Sequence, residues 1–215
     1  MRLDRASLLA AVDRLARRDR RLGLLVRRHG PPPLWSRPPG FPTLLRIILE
    51  QQVSLGSARA MYLRLAAAVH DVTPAATLAL GPAGLRRLGF TRQKARYACE
   101  LAEWTADGRL PLARLSRFED REVGALLMQV PGIGPWTAGI YLLMALRRPD
   151  VWPPGDLALH KSLAKLEGLP RPPSSGEAEA LAARWRPYRA AAARILWHGY
   201  LAERSGHVAS GRVRA

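Results

Sequence analysis

The 215-residue chain has very little cysteine, little lysine and no long apolar segment. With Cys99 as its one cysteine, it cannot form an internal disulfide and lacks the ligands of a four-cysteine zinc or iron–sulfur site. No apolar run approaches the roughly 18 residues of a membrane span, so we expect no membrane-spanning segment. The N-terminal region is too charged for a signal peptide. These absences favour a soluble, cytoplasmic protein.

The basic residues are almost all arginines, because the 34 lysines and arginines include only Lys94, Lys161 and Lys165 as lysines. Against 17 acidic residues they give a formal net charge of +17. Such an excess attracts polyanions. An anionic membrane surface is the weaker reading of this charge. We therefore expect nucleic acid, and no membrane, as the partner.

Hydrophobic residues recur at helical spacing along most of the chain, and no segment alternates as a half-buried strand does. The pattern predicts an all-α fold. The first predicted helix spans about residues 4–28 and ends at Gly30. Those that follow are predicted at about 42–53, 55–69, 82–88, 92–107 and 135–146, after Asp156, and from about 177 to Glu203.

Two local features set further boundaries. Ser116 and Glu119 have the spacing of a capping box, which would begin a helix that ends near Met128. The last residues, 205–215, are predicted to be a frayed tail.

The segment Val130–Thr137, Val-Pro-Gly-Ile-Gly-Pro-Trp-Thr, joins two predicted helices by a tight turn. Gly132 and Gly134 can take a positive φ and let another backbone come close, and we expect a positive φ at Gly134. A helix that begins at Gly134 and Pro135 has first amides without intrahelical partners, and these bind a phosphate without reading base sequence. The turn alone is equally compatible with a plain helical hairpin.

The longer string over residues 127–138, Leu-x-x-Val-Pro-Gly-Ile-Gly-Pro-Trp-Thr-Ala, closely resembles the helix-hairpin-helix of the HhH-GPD superfamily of base-excision DNA glycosylases. Three more segments resemble, in order, the branch that includes bacterial 3-methyladenine DNA glycosylase II, so that the likeness covers about residues 40–204. They are Ile48–Ser54, Leu88–Ala95 and Arg184–Arg189.

The resemblance implies a function in bacterial DNA repair, on the nucleoid. Such an enzyme flips alkylated bases, 3-methyladenine and related cationic purines, out of double-stranded DNA. It hydrolyses the N-glycosidic bond and leaves an abasic site. The same resemblance implies that Gly132, Gly134 and Thr137 of the hairpin bind the DNA backbone.

In this superfamily an essential aspartate ends a glycine- and proline-rich loop about twenty residues after the hairpin. Asp156 lies twenty residues beyond Trp136, at the end of Trp-Pro-Pro-Gly-Asp. A carboxylate there would stabilise the oxocarbenium-like sugar and orient or deprotonate the attacking water. An aspartate before a helix is also a common N-cap, and the two roles are compatible because amide donors keep a carboxylate fixed and ionised.

Other site residues follow from the resemblance by position. Trp136 and Trp197 match the aromatic walls of the base pocket, where a cationic purine gains a cation–π interaction; either could instead be a core tryptophan. Gln52 matches the wedge that fills the stack vacated by the flipped nucleotide, or it is an ordinary surface glutamine.

The related bifunctional enzymes carry a lysine nucleophile in the second hairpin helix. Trp136 stands at that place, and no lysine occurs between Lys94 and Lys161. The sequence therefore predicts a monofunctional enzyme that uses water, and Lys161 is the one residue that leaves a lyase reaction open. No cofactor is expected, apart from a monovalent cation that the resemblance implies at the backbone carbonyls of Met128, Val130 and Ile133.

The resemblance also predicts a monomer of two helical lobes with a cleft that receives the flipped base. One lobe would comprise residues 34–146, and the other residues 1–33 with 147–204. Longer family members have an extra N-terminal β-rich domain, and this chain has only about 40 residues before Phe41. Two alternatives are a glycosylase for oxidised or mismatched bases and a helix-hairpin-helix module that binds DNA without catalysis.

Overall fold

The computed structural model describes the backbone of residues 2–211 and the side chains of residues 2–204. Every regular element in that range is helical, which confirms the predicted fold class. Two 3₁₀ helices cover Leu112–Arg117 and Ala183–Trp185. The α-helices are α1 (Arg5–Arg18), α2 (Arg20–His29), α3 (Phe41–Glu50), α4 (Leu55–Ala68), α5 (Pro74–Arg87), α6 (Arg92–Ala106), α7 (Asp120–Met128), α8 (Pro135–Met144), α9 (Leu157–Glu167), α10 (Ser175–Ala182) and α11 (Arg189–Gly211).

The prediction of one helix over residues 4–28 is wrong, because Asp19 separates α1 from α2. Asp19 has extended backbone angles, and its Oδ1 accepts the amides of Arg21 at 3.0 Å and Leu22 at 3.2 Å. The carboxylate thus satisfies the amides that a new helix leaves unpaired. Apolar spacing continues across the break, so periodicity alone could not locate it.

Two other boundaries also differ from the prediction. The short helix expected at 82–88 is the second half of α5, which is kinked at Gly81, where φ is +59°. The capping box expected at Ser116 and Glu119 is wrong, because Ser116 belongs to a 3₁₀ helix. Glu119 is itself the N-cap of α7, and its amide donates to the Glu122 carboxylate at 2.9 Å.

The last helix extends past its predicted end near Glu203, since α11 is helical as far as Gly211. The segment predicted to fray therefore starts as helix. Residues 212–215 of that segment lie outside the described residues.

The chain divides into two compact units. The first, which we call the hairpin unit, is Arg37–Leu146 and holds α3 to α8. The second, the carboxylate unit, is Met1–Ser36 with Arg147–Ala215 and holds α1, α2 and α9 to α11. The sequence predicts boundaries at residues 34 and 146.

In the hairpin unit the central element is α3, which packs against α4, α6 and α8. Its apolar side chains are fully buried, so the end of this helix has little freedom to move; they are Leu44, Leu45, Ile47, Ile48 and Leu49. In the carboxylate unit α11 packs against α1, α2 and α9. Among the described residues, no helix is long and apolar enough to cross a bilayer.

Candidate active site

Asp156 is the N-cap of α9, as its position before a helix predicted. Its Oδ1 accepts the amide of Leu159 at 2.9 Å and the indole Nε1–H of Trp197 at 3.1 Å. The two donors come from different helices, α9 and α11, and reach the same oxygen. The carboxylate therefore has a defined orientation, which a group that stabilises developing positive charge requires.

Trp197 is 8% exposed and lies in a group of aromatic rings within the carboxylate unit. The edge of its ring meets Trp35, with centroids 6.4 Å apart and an interplanar angle of 72°. Trp35 also meets the His198 ring at 6.2 Å. The structure thus gives Trp197 a role that the sequence did not predict, as a hydrogen-bond donor to Asp156. Its predicted role as a wall for the base stays a prediction.

Trp35 is a residue that sequence reasoning missed. It is half-buried, and its φ of +46° lies in the left-handed region that bulky residues rarely adopt. The preceding carbonyl, of Leu34, accepts from Nε of Arg194 at 2.8 Å. Arg194 is fully buried, and burial lowers the pKa of its guanidinium to about 10, which still leaves it charged at neutral pH. A buried cation therefore holds the segment that brings Trp35 to Trp197.

The hairpin connects α7 to α8 through residues 129–134. Gly134 is the N-cap of α8 and Pro135 is its first residue, and no side chain caps this helix. The start of α8 therefore has the amide-rich character expected of a phosphate site. Its third residue, Thr137, is buried, and Trp136 before it is half-buried.

The two hairpin glycines differ from each other. Gly132 has a φ of +90°, and a Cβ atom there would lie 2.3 Å from Cγ of Tyr97. Its close neighbour in the structure is thus the Tyr97 ring. Gly134 has a φ of −97° and a ψ of −179°, and a Cβ atom there would meet nothing within 4 Å. The expectation of a positive φ at Gly134 is therefore wrong.

Gln52 lies in the turn between α3 and α4, where it is exposed and has a φ of +56°. The neighbouring Gln51, which sequence reasoning did not single out, donates from Nε2 to the Gly132 carbonyl and to Oγ1 of Thr137, both at 2.8 Å. We call the turn between α3 and α4, residues 51–54, the wedge turn. The structure thus brings the wedge turn and the predicted hairpin residues into contact within the hairpin unit. No local pattern in the sequence could have shown this contact.

A lyase reaction would need a lysine amine as its nucleophile. The second hairpin helix, α8, contains none. Lys161 lies on α9, more than one turn after Asp156, and is exposed.

The family model for "HhH-GPD superfamily base excision DNA repair protein" matches residues 45–187. The Schizosaccharomyces pombe 3-methyladenine DNA glycosylase Mag1, solved with abasic DNA, is similar in structure with a TM-score of 0.79 and 28% identity, and the match covers 87% of this chain and 95% of that one. The Escherichia coli DNA-3-methyladenine glycosylase 2 is 27% identical over 165 residues, which are 72% of this chain and 55% of that protein.

The Bacillus subtilis protein YfjP is 27% identical over 184 residues, or 82% of this chain. The match spans 64% of YfjP, so this chain covers somewhat less than two thirds of that relative. The family model, in contrast, matches well over half of the present chain and includes α4 to α10. The chain belongs to the HhH-GPD superfamily of base excision DNA repair proteins.

Proposed function

We propose that this protein is a monofunctional DNA glycosylase that removes alkylated, cationic purines such as 3-methyladenine from double-stranded DNA. The observation that carries the proposal is the carboxylate of Asp156, oriented by the Leu159 amide and the Trp197 indole. Its place after the hairpin matches the pattern of the superfamily. The names of the S. pombe and E. coli relatives support this class of substrate.

The reaction that we propose needs a fixed anion. The bond between C1′ and the base nitrogen breaks, and its electron pair leaves with the base, so that a cationic purine departs as a neutral molecule. The sugar becomes oxocarbenium-like, and the negative charge of Asp156 stabilises it. Water then adds to C1′ and gives a proton to the carboxylate. The products are the free base and an abasic strand.

Recognition of the base is assigned to tryptophan. Trp136, half-buried at the start of α8, is proposed as an aromatic wall. The face of a tryptophan attracts a cation by about 0.5–2 kcal/mol, which favours an alkylated purine over a neutral base. Trp197 is proposed to act mainly through its hydrogen bond to Asp156, since only 8% of it is exposed.

Binding of the duplex is assigned to the hairpin unit. The uncapped start of α8, with Gly134 and Thr137, and the neighbouring Gly132 are proposed to bind one phosphate. The exposed Gln52 is proposed to enter the stack that the flipped nucleotide leaves. Neither contact reads sequence, so affinity for undamaged duplex is expected to come from this unit.

A monovalent cation is a further proposal for the hairpin, with the carbonyls of Met128, Val130 and Ile133 as ligands. The Val130 carbonyl accepts the Ile133 amide at 3.0 Å, which leaves it a second lone pair. Carbonyl oxygens are suitable ligands for a hard cation. Bound there, the ion would add positive charge next to the phosphate. Duplex affinity should then be higher in potassium chloride than in tetramethylammonium chloride of equal ionic strength.

The test of the proposed function is to incubate the protein with methylated duplex DNA and identify every released base. Release of 3-methyladenine is expected, with the strand intact until alkali cleaves it at the abasic site. Borohydride added during turnover should trap no covalent adduct. An adduct that disappears in Lys161→Ala would show a lyase instead. Duplex binding without release of any base would favour the non-catalytic alternative.

A further inference from the structure

Lys94 is a buried lysine that none of the steps above uses. It is the third residue of α6 and is 7% exposed. Its Nζ donates to the carbonyls of Leu49 at 2.7 Å, Gln51 at 2.9 Å and Ile48 at 3.2 Å. An ammonium group has three donors, so all of them are engaged.

These carbonyls belong to the last turn of α3 and its C-cap, where a helix leaves acceptors unpaired and carries partial negative charge. The nearby Glu50 carboxylate is held by Arg37 at 2.8 and 3.1 Å. Burial lowers the pKa of the Lys94 ammonium, and the charge of Glu50 opposes that shift. Through its three hydrogen bonds to these carbonyls, Lys94 caps the end of α3.

Gln51 connects this capped end to the hairpin. Its main-chain carbonyl accepts from Lys94, while its side-chain amide donates to Gly132 and Thr137 at 2.8 Å each. One acceptor lies in the turn between α7 and α8, and the other lies in the first turn of α8. Both amide hydrogens of Gln51 are therefore used to hold the hairpin.

The contacts of Gln51 constrain the backbone of the next residue, Gln52. Its φ of +56° is costly for a residue other than glycine and persists only where the surroundings impose it. On one side Gln51 is anchored as described. On the other, Ser54 caps α4 by accepting the Ser57 amide at 3.1 Å. Gln52 is thus an exposed side chain on a turn that is held at both ends.

The turn and the hairpin also line one groove of about 490 Å³ within the hairpin unit. Its walls include Gln52 and Val53 from the turn, Tyr97 from α6, and Gly132 and Gly134 from the hairpin. A wedge and a phosphate site that share one groove must keep a constant separation to act on the same stretch of duplex.

We propose that Lys94 and Gln51 are positioning residues that set the wedge turn against the phosphate-binding hairpin before DNA arrives. This inference rests on the proposed function. Because the wedge turn is already ordered, insertion of Gln52 into the duplex does not cost the conformational entropy of ordering that turn. Loss of either residue should therefore impair extrusion of a stacked, paired base more than cleavage of one already extruded.

Two variants remove the network at different points. Lys94→Met keeps the aliphatic stem and removes the charge, and Gln51→Leu removes the two donors to the hairpin. Lys94→Arg keeps a charged donor and serves as the conservative variant. Lys165→Met is the matched control, because Lys165 is exposed on the carboxylate unit, where it pairs with Glu203.

The readout is single-turnover excision of one alkylated purine from two duplexes, with the lesion either paired or opposite an abasic site. On the paired lesion we expect Lys94→Met and Gln51→Leu to lose about 10- to 100-fold in rate, the scale of a misplaced site. On the unpaired lesion, which is easier to extrude, their rates should lie within about threefold of wild type. Lys94→Arg should regain most of the loss, and Lys165→Met should match wild type on both duplexes.

Equal losses on both duplexes, or none on either, would overturn the inference. If Lys94→Met did not fold, the same comparison with Gln51→Leu, whose melting temperature is measured in parallel, would decide it. A wild-type protein that excises nothing even from the unpaired duplex would overturn the proposed function, and this inference with it. Wild-type excision with variants that behave alike on the two duplexes would contradict the positioning role alone.

Discussion

The two units hold their candidate site residues by different means. In the hairpin unit, donors from Lys94 and Gln51 fix main-chain groups, so the structure defines the path of the backbone at the candidate wedge residue Gln52 and at the hairpin. In the carboxylate unit, an indole and a helix amide fix one side chain, Asp156. The first arrangement suits the uniform phosphate backbone, and the second suits one reacting sugar. Duplex affinity and bond cleavage should therefore be separable by mutation.

The largest effect is expected at Gly132, on the hairpin side of this comparison. Gly132→Ala would require a positive φ of alanine and place Cβ 2.3 Å from the Tyr97 ring. Strain and overpacking together should lower the unfolding free energy by about 2–5 kcal/mol. Thermal unfolding followed by circular dichroism would measure it, and duplex binding should be lost with the hairpin. Unchanged stability would show that Tyr97 moves aside freely.

On the carboxylate side, a smaller effect is expected in Trp197→Phe. Phenylalanine keeps an aromatic ring but cannot donate to Oδ1 of Asp156. A hydrogen bond to a charged group contributes about 1.5–3 kcal/mol, so single-turnover excision should fall roughly 10- to 100-fold. Affinity for undamaged duplex should not change. A loss of duplex affinity equal to the loss of excision would remove the distinction between the units.

Trp136 tests whether base recognition belongs to the hairpin unit as well. Trp136→Ala should cut excision of alkylated purines by the value of base stacking, about 1–3 kcal/mol, and leave undamaged-duplex affinity almost unchanged. Circular dichroism should confirm that the variant remains helical. Normal excision by this variant would mean that Trp136 is a core residue and that the base pocket lies elsewhere.

The smallest effect is expected at Gly134. Its backbone is in an extended conformation and a Cβ atom meets nothing within 4 Å, so Gly134→Ala should change stability by less than about 1 kcal/mol. A methyl group at the start of α8 would still crowd an approaching phosphate. We therefore expect duplex affinity to fall roughly threefold, whatever the base sequence. Titration at several salt concentrations would measure this. A fall in stability like that of Gly132→Ala would contradict the difference between the two glycines.

The sequence predicted well the local structure around the candidate site residues where that structure depends on neighbouring residues. Asp156 precedes a helix and the proline–glycine turn precedes α8, and both could be inferred from local spacing. The different conformations of Gly132 and Gly134 could not, because Tyr97, some 35 residues earlier in the chain, is what occupies the space beside Gly132.

The contacts that sequence reasoning missed all join distant segments. Lys94 bonds carbonyls 43–46 residues before it, and Gln51 bonds residues 81 and 86 positions after it. The indole of Trp197 reaches Asp156 across 41 residues. Helical periodicity carries no information on such pairs. The break at Asp19 was missed for a different reason, because an N-cap can restart a helix without disturbing the apolar spacing.

The most direct test of the central claim is Asp156→Asn. Asparagine can still accept from the Leu159 amide and the Trp197 indole, so the change removes the charge and keeps the shape of the site. We expect duplex affinity and melting temperature to match wild type, while single-turnover release of 3-methyladenine falls by about 10²–10³-fold or more. Release at a near wild-type rate would contradict the assignment of Asp156 as the catalytic carboxylate.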